Sequence, residues 1–133
     1  MPNMQAVHYR MSDGREPVED FIGDLPLEHQ VTIFGQIEQL NALSSDAPPL
    51  TFPHSSQVRD QLRELRCHHG RILYRIFYRR SGNLFVLLHI IRKNRGDIPE
   101  QDIIIAEQHF DDFQRRMDAD PRVPPRAAGH DVP

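Results

Sequence analysis

Cysteine is nearly absent. Cys67 is the only one among 133 residues, so no disulfide forms within the chain and no tetrahedral thiolate site can be built from it. That usage fits a reducing compartment, and the expected location is cytoplasmic. Lysine is almost as scarce: Lys93 stands alone among sixteen basic residues. No stretch approaches the roughly eighteen apolar residues that a membrane span needs, so no membrane partner is expected. The opening MPNMQAVHYR lacks a basic segment followed by an apolar run, so no secretory leader is expected. No internal repeat is visible.

What is present is ordinary in bulk and uneven in detail. Apolar residues make up 38% and charged residues 26%, as in a soluble globular protein. The length suits one compact domain. The net charge of −3 hides an asymmetry. From Arg59 to Arg95 there are ten basic residues against Asp60 and Glu64. That segment is +8, and the remainder is −11. Such a split can build a basic face on an acidic body, or it can reflect solvated strand edges.

Val7 to Met11 alternates as a short strand. Asp13-Gly14 signals a turn. Pro17 suits the first position of a helix carrying Val18, Phe21, Ile22 and Leu25. Pro26 interrupts it. A second helix follows with Leu27, Val31, Phe34, Ile37, Leu40 and Leu43 at spacings of three and four. Ser44 to Ser56, with three prolines and four serines, is expected to be a loop. Three strands then read as Gln61–Cys67, Arg71–Arg80 and Leu84–Arg92, joined by short glycine-containing turns. The last is apolar at both parities and is expected to be covered on both faces. Pro99 opens a final helix with Ile103, Ala106, Phe110, Phe113 and Met117. The domain is expected to span residues 1–117, with a proline-rich, disordered tail over 118–133. The fold class is α+β, in the order β-α-α-β-β-β-α: an N-terminal strand and a helical hairpin on one face of a small antiparallel sheet, then a C-terminal helix.

Several residues stand out chemically. Along the second long strand Ile72, Tyr74, Ile76 and Tyr78 share one face, and Tyr74 and Tyr78 read as packing residues. Arg71, Arg75 and Arg79 share the other face, with Leu73 and Phe77 between them. Arginines interleaved with apolar residues suit a phosphate-binding surface or a solvent face. His89 interrupts LFVLLHII, so it is either a satisfied structural histidine or a titrating group beside Lys93. Cys67-His68-His69 lacks the spacing of a metal site, and no metal or cofactor is expected. Alternation leaves open which face Glu64 and Arg66 take.

Read together, L-R-E-L-R, then G-R-I-L-Y-R-I-F-Y, then V-L-L-H-I-I-R-K, then a proline and an acidic helix ending in I-x-x-A resemble the phage-derived HigB-like branch of the RelE/ParE toxin superfamily, over roughly residues 5 to 117. The resemblance implies a RelE-like fold and a type II toxin: an mRNA endoribonuclease that works on the translating ribosome. Its partners would be ribosome, mRNA and a helix-turn-helix antitoxin, forming a hetero-oligomer with the last. The implied chemistry is attack of a 2′-hydroxyl on the adjacent phosphorus, which needs a base, an acid and cations but no metal. Arg71 and Arg75 match the family's strand arginines, His89 and Lys93 its histidine and lysine, and Glu64 and Arg66 its E-L-R element. Catalysis is thus expected from Arg71, Arg75, His89 and Lys93. RNA contacts are expected from Glu64, Arg66, Arg79, Arg92 and Arg95. The family's lysine-rich run before the proline reads Arg92-Lys93-Asn94-Arg95-Gly96-Asp97-Ile98-Pro99 here, with thinner charge. The alternatives are a non-catalytic interaction protein on the same fold and a ParE-like gyrase poison.

Overall fold

The computed structural model describes residues 3–93 and 96–119. Its elements run β1 (Gln5–His8), α1 (Pro17–Gly23), α2 (Leu27–Asn41), β2 (Ser55–Arg59), β3 (Leu62–His69), β4 (Ile72–Ser81), β5 (Leu84–Arg92) and α3 (Glu100–Ala119). The class is α+β, and the expected order holds with one strand added. The sheet is mixed, in the order β1-β5-β4-β3-β2. β2 to β5 form an antiparallel meander, while β1 joins β5 in parallel. This architecture is consistent with a RelE-like fold.

Local signals explain most elements. Pro17 sits at the start of α1, and Pro26 separates α1 from α2. Gly70 and Gly82 both take φ +61°, the left-handed backbone that a two-residue hairpin turn requires and only glycine adopts freely.

Two cores lie on opposite faces of the sheet. The hairpin α1–α2 covers Leu65, Cys67, Tyr74, Ile76, Tyr78, Phe85, Leu87 and Ile90 with Val18, Ile22, Ile33, Ile37 and Leu40. Helix α3 covers Val7, Leu62, Phe77, Leu84, Val86 and Leu88 with Ile103, Ala106, Phe110 and Phe113. Each fully buried aliphatic or aromatic side chain contributes about 1.5–3 kcal/mol. β5 is thus apolar at both parities because both faces are covered. Helix α3 rests on β5 and β4. On the same face α3 also reaches Leu62 of β3 and Val58 of β2, and Glu100 of α3 pairs with Arg59 at the end of β2.

Four expectations need correction. The first strand runs Gln5–His8 rather than from Val7 to Met11. Ser55–Arg59, the end of the expected loop, is an edge strand; its polar residues gave no alternation to read. On α2 the buried residues are Ile33, Ile37 and Leu40, whereas Leu27, Val31 and Phe34 are exposed. A step of four advances about +40° around a helix and a step of three about −60°. The run of threes from Val31 to Leu43 therefore walks around the helix instead of tracing one stripe. Finally, α3 continues through Asp118 and Ala119, beyond the expected boundary. The rest of the expected disordered tail lies outside the described residues.

Candidate nucleic-acid interface

Pairing across the sheet gathers the chemistry on the α3 side. One row runs Ser56–Glu64–Phe77–His89 across four strands. The next runs Arg66–Arg75–Ile91. Strand alternation puts Leu65 and Cys67 in the hairpin core, so Glu64 and Arg66 point the other way. That settles the parity left open by the sequence.

Glu64 organises this surface. Its carboxylate accepts a hydrogen bond from Ser56 Oγ at 3.0 Å. Its other oxygen lies 3.5 Å from both Arg66 Nη1 and Arg75 Nε. Glu64 is 5% and Arg75 6% exposed. Two guanidinium groups share one carboxylate, so the cluster carries one net positive charge. It is also incompletely satisfied: Arg66 Nε and Arg75 Nε are buried with no hydrogen-bond partner. Buried donors of this kind are costly to leave unmade. The Arg66 guanidinium also lies 5.0 Å over the Phe52 ring, which holds its plane.

His89 reaches the same face through an irregularity. Phe77 pairs with His89 but Tyr78 pairs with Leu87, so Leu88 is an extra residue in β5. Simple alternation from Phe85 and Leu87 would bury His89 under the hairpin. The bulge turns Leu88 and His89 both toward α3. There His89 stacks on Phe77 with ring centroids 5.8 Å apart. Its Nε2–H donates to Asp102 Oδ1 at 2.8 Å. A carboxylate on one ring nitrogen fixes the tautomer and the orientation of the ring. Arg75 is the diagonal neighbour of His89 on the β4–β5 ladder, a separation of about 7–8 Å between Cα atoms.

The other expected site residues are distributed. Lys93 shares the parity of His89 beyond the bulge and stays on the ladder through its N–H to Leu73 O at 3.1 Å. Arg71 belongs to the exposed β3–β4 turn rather than to β4. Arg79 lies on it but packs 4.3 Å over the Phe110 ring, beneath α3. Arg92 pairs with Tyr74 and so takes the hairpin parity. Arg95 lies outside the described residues. Cys67 is fully buried, and burial pushes its thiol up to about 12. His69 instead reaches Thr32 Oγ1 at 2.9 Å, so Cys67 and its histidine neighbours do not converge.

The sequence did not reveal Asp102, Ser56 or Phe52. Asp102 reads as a helix-dipole residue; its partner lies thirteen positions back. Nor do the arginines form one basic face. Arg63 bonds Ser55 Oγ and Leu50 O, and Arg80 bonds Gly82 O and Ser45 O. Arg59 makes a bidentate pair with Glu100 at 2.6 and 2.7 Å.

A family model, phage-derived protein Gp49-like (DUF891), matches residues 20–111. The chain belongs to the Gp49-like family. The match takes in every residue of the Glu64–Arg66–Arg75 cluster and the His89–Asp102 pair. It leaves β1 and the last turns of α3 outside. Membership in this phage-derived, toxin-like family agrees with the RelE-like fold. No curated protein matches the chain. Among the described residues no helix is long and apolar enough to cross a membrane.

Proposed function

We propose that this Gp49-like protein is a HigB-like toxin, a ribosome-dependent mRNA endoribonuclease held in check by a helix-turn-helix antitoxin. The observation that carries the reading is the pair of buried, unpartnered Nε–H groups of Arg66 and Arg75 beside a carboxylate-held histidine on one face of the sheet. Cleavage would proceed by attack of the ribose 2′-oxygen on the adjacent phosphorus. The 2′-O–P bond forms, the P–O5′ bond breaks, and the products are a 2′,3′-cyclic phosphate and a 5′-hydroxyl. Arg66 and Arg75 would hold the phosphate and the charge that builds on it. His89, oriented by Asp102, would carry the proton. Glu64 is engaged with both arginines and serves to aim them. Lys93 and Arg71 would meet the flanking strand.

A binding protein without nuclease activity is the second reading. It is favoured by Glu100 and Glu107, which approach Arg59 on the same side of the molecule and lower the positive potential available to RNA.

The test is cleavage of a reporter mRNA in a purified translation system, with and without ribosomes. Ribosome-dependent cuts that an Arg71→Ala/Arg75→Ala variant no longer makes would support the nuclease. Well-folded protein that makes no cuts and leaves translation unimpaired would overturn it.

A further inference from the structure

From Glu16 to Val58 the chain holds no lysine or arginine, but seven acidic residues: Glu16, Glu19, Asp20, Asp24, Glu28, Glu38 and Asp46. This run contains the entire α1–α2 hairpin, whose own Glu19, Asp20, Asp24, Glu28 and Glu38 give it a formal charge of −5. Helix α2 spends Ile33, Ile37 and Leu40 on its own core. Its outer side carries a second apolar stripe, in which Leu27, Val31 and Phe34 are 73%, 63% and 40% exposed. Steps of four and three align them along one line of the helix. A further step of four reaches exposed Glu38, and Glu28 flanks Leu27. Exposed Gly35 lies beside the stripe, and a Cβ built there meets nothing within 4 Å. Nothing crowds an approaching backbone.

We infer that the outer face of α2 docks an amphipathic helix of another protein, one whose apolar stripe is flanked by lysine or arginine. Charge selects this occupant. A second copy meeting the same face by a two-fold axis would bring two acidic hairpins together. Nucleic acid is repelled for the same reason. A basic helix is attracted and oriented by the rim, while Leu27, Val31 and Phe34 supply the apolar contact. The spacing is the one by which helices pack side by side.

The inference stands on this surface and not on the nuclease reading. Under that reading it assigns the antitoxin a contact. α2 lies across the sheet from the Glu64–Arg66–Arg75 cluster, so a helix docked there does not compete with RNA.

The full chain is titrated with two labelled synthetic helices that share a leucine stripe, one flanked by lysine and arginine and the other by glutamate. The basic helix is expected to bind one to one, and the acidic one not. Val31→Glu, at an exposed position, is expected to weaken binding by about tenfold or more, the scale of losing an interface hot spot. Ile104→Ser, on α3, should leave binding unchanged. Equal binding of both peptides, no binding, or indifference to Val31→Glu would overturn the inference. So would sedimentation showing a dimer that Val31→Glu dissociates, which would make the occupant a second copy.

Discussion

His109 Nδ1–H donates to the carbonyl of Leu88 at 2.7 Å, and Leu88 is the residue by which β5 outruns β4. A residue of α3 therefore satisfies the acceptor that the bulge takes out of the ladder. The His109 ring stacks on Tyr9 at 4.7 Å, and Tyr9 Oη donates to Asp112 Oδ2 at 2.5 Å. The turn of His89 toward the site is thus held from outside the site. His109→Phe keeps the stack but orphans the carbonyl, at an expected cost of about 1–3 kcal/mol in urea unfolding. His109→Asn keeps a donor and should recover much of it. Nuclear Overhauser contacts between the His89 and Phe77 rings, with centroids 5.8 Å apart, and the corresponding resonances should be lost or displaced in the Phe variant and the contacts kept in the Asn variant. Unmoved resonances in both would show that the bulge holds without His109.

Arg75 and Arg71 should separate kinetically. Arg75 is buried against Glu64 and meets the reacting phosphate in the proposed mechanism. Arg75→Ala is expected to lower the rate of the bound complex by about 10²-fold or more. Arg71, exposed in its turn, would meet flanking phosphate. Arg71→Ala should weaken RNA binding, reduce the salt slope by about one and leave thermal stability unchanged. Equal losses in bound-state rate for both would refute this division.

The Glu64 cluster should respond to anions. Glu64→Gln keeps the shape but leaves two buried guanidinium groups without their counter-charge. Breaking a buried pair typically costs about 3–5 kcal/mol, and the 3.5 Å separations place this one near the low end. Inorganic phosphate, binding the folded state alone, should raise the melting temperature of the wild type above that in chloride at equal ionic strength. Arg66→Ala should abolish the difference. A phosphate effect that survives Arg66→Ala would point to another anion site.

Stability should fall at both ends of the pH scale. Burial raises the Cys67 thiol to about 12. Burial and then Asp112 raise the Tyr9 phenol to about 12. A raised folded value means that the stabilisation is complete below the unfolded value and is lost as pH rises toward the folded one. Melting temperature should therefore drop above about pH 9 as Cys67 ionises in the unfolded chain, and further above about pH 10 through Tyr9. Burial holds His109 below its usual range. Its contribution is complete above about pH 6.5 and is lost as pH falls through the folded value. Melts from pH 5 to 11 should show a plateau between these limits. Cys67→Ala should remove the first alkaline step and Tyr9→Phe the second.

Much of this protein was legible in the order of its residues. Prolines bounded the helices, glycines marked the hairpin turns, and the apolar run of β5, interrupted by His89, foretold a strand covered on both sides. Alternation along β4 put Arg75 opposite the tyrosines, because two-residue periodicity needs no tertiary information. Four things did not follow from pattern. The edge strand β2 was hidden because its pairing rests on backbone hydrogen bonds to β3 and not on an apolar face. The outer stripe of α2 was hidden because steps of three and four fit more than one line on a helix. The face of His89 depended on one inserted residue, and a bulge changes parity without leaving a mark in composition. Asp102 met His89 only because α3 folds back across β5. Local propensity and periodicity determined the elements and most of their faces. The site was decided by register and helix placement, which depend on contacts between residues far apart in the chain.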